Sequence, residues 1–491
     1  MPLIPKCMST QHPDNAFAPS YATNGVLKGE GEIAEAVDIF SLGSDEQMWD
    51  SEGKEADNQV VQKLLTNHSS FFHEERTLGT DCVLTLRVPN PRIELEMRKS
   101  TVEALQGIPK AWDMAREFYG EGLQEPPIQE VILPFTTSAE ELSALDIYYR
   151  KFVVGQESQQ LIGERTVKDW IGEFFPKRIR IIPLIEDLEH ITRSDDIVRT
   201  FLQDAEADYQ RVFLARSDPA LNYGAVAAEL MLKIGLWRLD RLQAELGVPL
   251  YPIIGVGAVP FRGHLSPTNV ERAFREYPSA HTFTIQSSFK FDHDRELVRD
   301  GIAKIVAHNR SEAPPIDEER ALAIISKVSA LYQSQVRSLA HIIGDVSTKV
   351  PKRRERKLHV GLFGYGRSLE GSGGDVTLPR AIGFAASMYS VGVPPELLGL
   401  AALDADDMAF VREVYPSFDE DMAVALRYVN ERRVRELLGD EHAKIAIDLG
   451  QDIDRVHEGL TSAIWAGLDQ NTTGNVPHYI EEAAQIRRFL G

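Results

Sequence analysis

The sequence predicts an α/β protein, a (β/α)8 TIM-type barrel with an N-terminal arm and additional C-terminal helices. Three observations carry this expectation. Eight short apolar runs recur between residues 47 and 367, helix-length spacers separate them, and most end abruptly in a polar or charged group. A continuous apolar run marks a strand buried on both faces, as in a parallel sheet. Eight of them alternating with helices suit a closed barrel. An open doubly wound sheet is the competing architecture, but no GxGxxG fingerprint opens any of the helices.

The runs are QMWDSE (47–52), CVLTLRVPN (82–90), EVILPFTT (130–137), IRIIPLIED (179–187), RVFLARSD (211–218), LYPIIGVG (250–257), HTFTIQSS (281–288) and HVGLFGYGR (359–367). Between them, Ser138 with Glu141 and Thr268 with Glu271 have the spacing of capping boxes, in which side chain and backbone satisfy each other. A helix over 225–246 would place Val226, Leu230, Ile234 and Trp237 on one face and stop at Gly247. A longer helix over 316–345 carries apolar residues near heptad spacing, which reads as core packing. PKRRERK (351–357) reads as a solvated linker before the eighth strand. Beyond residue 400 only helical patterns follow, with a turn at QNTTGN (470–475). The division is therefore an arm over 1–45, a catalytic barrel over 46–400 and a helical region over 401–491.

Charge and cysteine content narrow the function. The formal charge is −21, from 74 acidic and 53 basic residues, which disfavours nucleic acid or an anionic membrane as partner. Arginines serving an anionic substrate must then be gathered locally. Cys7 and Cys82 are the two cysteines; they form no disulfide framework or metal motif and fit a reducing cytoplasm. No signal pattern opens the sequence, and no run reaches the ~18 apolar residues of a membrane helix.

The chemistry concentrates at the predicted strand ends. Glu186 in PLIED and Asp218 in ARSD close consecutive strands 32 residues apart, so a barrel places both at its C-terminal rim. Two such carboxylates suit a hard divalent cation that keeps waters for substrate to replace. They equally suit helix caps, and spacing does not separate the readings. The same rim would carry Asp50, Glu52, Arg87, Arg92, Arg262, Gln286 and Arg367. Arginine grips phosphate or carboxylate with a two-point fork. In GVGAVPFRG (255–263) two glycines would let backbone N–H groups approach an oxyanion beside Arg262, and GYGRSLEGSGGDVTLPRAI (364–382) sets Arg367 and Arg380 around a flexible SGG.

TQHPDN, PLIED, ARSDPALNYG, the VPFRG loop and GYGR…SGG…PRAI together resemble the archaeal-type phosphoenolpyruvate carboxylases, in order and over nearly the whole chain. The resemblance implies a lyase that joins phosphoenolpyruvate and bicarbonate, with Mg²⁺ or Mn²⁺ as cofactor and a homotetrameric assembly. It implies that His12 is a catalytic base, Glu186 and Asp218 the metal ligands, Arg367 and Arg380 the phosphate clamp, and Arg262 a catalytic arginine. Arg87 and Arg92, in LRVPNPR, rank first among the unassigned substrate-binding arginines. Leu221 stands where the longer bacterial and plant-type enzymes have a lysine, and Val256 and Ile254 replace an arginine and a histidine. Lys54, Arg87, Arg216 and Lys290 are the candidates for the missing cation. Another metal-dependent barrel lyase, acting on 2-keto acids or acyl thioesters, is the alternative, with Asp50 and Glu52 joining the metal.

Overall fold

Eight parallel strands close on one another: β1 (Cys7–Ser9), β2 (Glu46–Asp50), β3 (Val83–Arg87), β4 (Ile128–Leu133), β5 (Arg180–Ile185), β6 (Gln210–Ala215), β7 (Leu250–Gly255) and β8 (Thr282–Ile285). The computed structural model describes residues 3–51, 59–205, 207–355, 367–368, 377–450, 452–470 and 473–491. Neighbours in sequence pair in the barrel, and β8 returns to β1 with Cys7 opposite Phe283. This is the predicted α/β barrel.

Its closing strand comes from an unexpected place. Seven of the apolar runs form β2 to β8, but the strand between β8 and β2 is Cys7–Ser9, inside the segment expected as an arm. Three residues, CMS, are too few to show as an apolar run. Their position is fixed from outside, because the Asp45 carboxylate accepts the N–H groups of Lys6 and Cys7 at 2.9 and 2.8 Å. The run 359–367 lies outside the described residues except for Arg367, whose backbone pairs antiparallel with Leu378. The barrel closes without it.

The inward faces follow the period of two that a strand imposes. Glu46, Met48 and Asp50 point the same way along β2, and so do Arg211, Phe213 and Ala215 along β6. The lowest layer is polar: Arg211, fully buried, donates to Glu46 at 2.7 Å and to Glu130 at 2.6 Å. Above it Met8, Met48, Ile132, Ile182, Phe213 and Ile253 fill the middle as one apolar cluster. The next inward positions bring Asp50, Arg87 and Glu186 to the C-terminal mouth. Alternate residues face the helices, so both faces are buried and the strands read as continuous runs.

The helices follow their signals with one exception. Ser138 and Glu141 form a capping box, and the helix Ala225–Leu246 ends at Gly247, which takes the left-handed φ of 68° that favours glycine. The box expected at Thr268 and Glu271 is not formed. Asn269 is the N-cap instead, its carboxamide oxygen accepting the Ser266 N–H at 2.7 Å. The long helix runs over Glu318–Ser347 and buries Ile325, Tyr332, Val336, Leu339 and Ile343. Beyond residue 400 the described residues form helices and no strand. PKRR, expected as a solvated linker, is instead anchored. Arg354 is buried against Glu32 and Glu35 at 2.8 and 2.7 Å, and Arg353 reaches Glu481 at 2.7 Å.

Candidate active site

A cavity of about 600 Å³ opens at the C-terminal mouth of the barrel. It is lined by His12, Arg87, Glu186, Asp218, Arg262 and Arg380, six of the eight residues singled out from sequence. Arg92 is not among the lining residues. Its side chain is 62% exposed and lies 3.7 Å from Glu141, the capping-box acid. The side chain of Arg367 lies outside the described residues, as do Glu52, Lys54 and the SGG segment.

The capping alternative for the two carboxylates can be examined directly. The helix after β5 spans Leu188–Ile191 and is capped by Asp187, which accepts the His190 N–H at 3.0 Å. Glu186 is one residue earlier, buried, and turned to the cavity. Phe135, in the left-handed region at φ 52°, directs its N–H at the Glu186 carboxylate from 3.4 Å. Asp218 stands in the first turn of the helix Ser217–Tyr223, whose cap position is Arg216 and which has no side-chain cap. Neither carboxylate is a cap. Two oxygen-ligand side chains in one cavity fit a hard divalent ion whose remaining ligands come from water and substrate. Among the described residues no three His, Cys, Asp or Glu side chains cluster as a metal site.

His12 belongs to a fixed segment. The Thr10 N–H donates to Ile285 at 3.0 Å, the Ser287 N–H donates to the His12 carbonyl at 3.2 Å, and Lys290 donates to the Thr10 carbonyl at 2.8 Å. Asp14 accepts the Ser288 N–H at 2.7 Å and pairs with Arg262 at 3.3 Å. Burial, and then the guanidinium groups of Arg87 and Arg262, push the His12 imidazole well below its ordinary pKa against the pull of Asp50. The surroundings therefore favour the neutral imidazole.

The glycine-rich loop works differently from the expectation. The Gly257 N–H is spent on the Arg262 carbonyl at 2.7 Å, not on an oxyanion. The space a side chain would fill there is taken by the Arg262 guanidinium, 2.9 Å from where a Cβ would stand. Arg262 is buried and bonded to Ser217, Asp14, Gln286 and the Gly491 carbonyl. These bonds hold it in place among the lining residues.

Of the candidates for the missing cation, Arg216 is committed to Glu229 at 3.1 Å and to two backbone carbonyls. Lys290 is buried on Glu35 at 2.8 Å. Arg87 lies in the cavity, 3.3 Å from Asp50. Sequence reasoning missed Lys352, Arg353 and Arg354, which also line the mouth. The basic run itself was the signal, read there as a linker. A chain of net charge −21 thus brings seven arginines and lysines to one cavity.

The phosphoenolpyruvate carboxylase family model matches residues 4–491. That decides the family. The chain belongs to the phosphoenolpyruvate carboxylases. Enzymes of that name from Methanothermobacter thermautotrophicus and Pyrococcus abyssi are each 48% identical to it, over 489 and 490 residues. The first alignment covers 99% of this chain and all of the relative, the second all of both. The Halobacterium salinarum enzyme is 45% identical over 494 residues, 99% of each chain. The protein is an enzyme of this carboxy-lyase type, and its family implies a divalent metal requirement. Among the described residues no helix is long and apolar enough to cross a membrane.

Proposed function

We propose that the cavity carboxylates phosphoenolpyruvate with bicarbonate, giving oxaloacetate and phosphate by way of carboxyphosphate and the enolate of pyruvate. The observation that carries the reading is the meeting of Glu186, Asp218, Arg87, Arg380 and His12 in one cavity. Arg380 and Arg367 grip the phosphate, with Arg87 turned to the carboxylate or to bicarbonate. Held by Glu186 and Asp218, Mg²⁺ or Mn²⁺ would stabilise the negative charge that develops on the enolate oxygen. In phosphoryl transfer the bond from phosphorus to the enol oxygen breaks as a bicarbonate oxygen takes its place. His12 then removes the remaining carboxyphosphate proton, the carbon–oxygen bond to phosphate breaks, and CO₂ is released beside the enolate carbon that attacks it. Arg262, tied to four neighbours, holds Gln286 and Asp14 in place and adds its field.

We place the protein in the cytoplasm as a homotetramer. Two free, buried cysteines favour a reducing compartment. Ile162, Trp170 and Ile171, 76%, 70% and 52% exposed near the hairpin Gln160–Thr166, favour self-association. The test is a malate-dehydrogenase-coupled assay with phosphoenolpyruvate, bicarbonate and Mg²⁺, each omitted in turn. Oxaloacetate formation should need all three. Turnover without bicarbonate would point to the 2-keto-acid or thioester lyase instead.

A further inference from the structure

We infer that Thr10 is a positioning residue for His12: its hydroxyl takes the Nδ1 proton and so leaves the Nε2 lone pair facing the cavity. This rests on the assignment of His12 as the base of the proposed reaction.

The geometry begins with β1. Thr10 follows that strand directly, is fully buried, and is clamped at both backbone groups by Ile285 and Lys290. Lys290 is itself fixed by Ser9 and Glu35, at 3.1 and 2.8 Å. The Thr10 Oγ1 therefore has a defined position, and it lies 2.9 Å from His12 Nδ1. Nε2, on the far side of the ring, is the nitrogen left to the cavity that His12 lines.

The direction of the bond follows from the reaction. A neutral imidazole carries one N–H, and the other nitrogen accepts. If Nε2 is to take the carboxyphosphate proton, Nδ1 carries the hydrogen and Oγ1 is the acceptor. The same contact serves the imidazolium formed afterwards, so nothing need rearrange during the step. A hydroxyl differs here from the carboxylate that orients many catalytic histidines. It fixes ring and tautomer without adding a negative charge that would make the imidazole a stronger base. Burial, Arg87, Arg262 and Arg380 act against a proton on His12 and Asp50 acts for it, so the proton gained is readily given up and the base is reset.

The test compares Thr10→Val, which is nearly isosteric without the hydroxyl, with Thr10→Ser, which restores it, and with His12→Asn. Phosphate, pyruvate and oxaloacetate are measured in one reaction of the full-length enzyme, and phosphoenolpyruvate KM and thermal melting are followed beside them. Thr10→Val should keep bicarbonate-dependent phosphate release while the deprotonation step slows roughly tenfold or more. Oxaloacetate per phosphate then falls below one, pyruvate makes up the difference, and Thr10→Ser recovers most of the ratio. A ratio of one in Thr10→Val, with or without a lower overall rate, overturns the inference while His12→Asn still splits the products. A ratio of one in His12→Asn overturns the base assignment itself, and the inference with it.

Discussion

Glu186 and Asp218 differ from ordinary helix-starting acids in what they leave undone. The cap of the helix after β5 is Asp187, and the helix bearing Asp218 has no side-chain cap, so removing either charge should spare both helices. Glu186→Gln and Asp218→Asn should lower kcat by roughly 10²–10³-fold or more while leaving the melting temperature near that of the parent. Mn²⁺ titration by calorimetry separates the readings, and unchanged affinity in both variants would remove the pair from the metal site. Arg380→Lys keeps the charge and loses the two-point fork, so phosphoenolpyruvate KM should rise and kcat fall, together roughly 10- to 100-fold in kcat/KM. Steady-state kinetics at saturating bicarbonate reads this, and silence there would move the clamp elsewhere. At this scale the sequence was informative because carboxylates and guanidinium groups follow apolar runs directly. Arg92 stands further along: PNPR continues beyond the strand, and its exposed side chain lies beside Glu141 and not among the lining residues.

Elements explain why some partners were hidden. β2 to β8 are legible because burial on both faces demands continuous apolar residues. The PKRR segment is not legible, since what anchors it lies far away in sequence: Glu32 and Glu35 for Arg354, and Glu481 for Arg353. The loop of Arg262 is held in a similar way by Glu396, which accepts the Phe261 N–H at 2.6 Å and the Tyr389 hydroxyl at 2.7 Å. Burial raises the Glu396 carboxyl from its usual 4.5 to about 7. The fold thus favours its protonated form. That stabilisation is complete below the unfolded pKa of about 4.5 and is lost once the pH rises past about 7. Glu396→Gln, neutral at every pH, should therefore gain on the parent between pH 5 and pH 8 by roughly 2–2.5 kcal/mol. Urea midpoints at the two pH values check it, and a constant difference would mean that Glu396 titrates normally.

For the whole molecule the decisive element is the shortest strand of the barrel. A barrel has no edge, and β1 supplies the pairing that removes the edges of both β8 and β2. Its loss would expose those two edges, leave the Asp45 carboxylate without the N–H groups of Lys6 and Cys7, and reduce the partners of Lys290 from Ser9, Thr10 and Glu35 to Glu35 alone. An arm draped over a finished barrel would cost only the residues it carries. Deletion of residues 2–11 distinguishes the two. If the strand closes the barrel, the truncated chain loses the cooperative melt seen by far-ultraviolet circular dichroism, and its amides in β2 and β8 exchange with solvent as fast as those of loops. If the segment is an arm, the truncated chain melts within a few degrees of the parent and loses activity with His12 still in place. The two outcomes differ in kind because two sheet edges and the buried Asp45 carboxylate cannot be left without partners in a barrel that stays closed. A cooperative melt after the deletion would require another segment to enter between β8 and β2. The run 359–367, the strand expected there from sequence, would then be the first to examine by exchange.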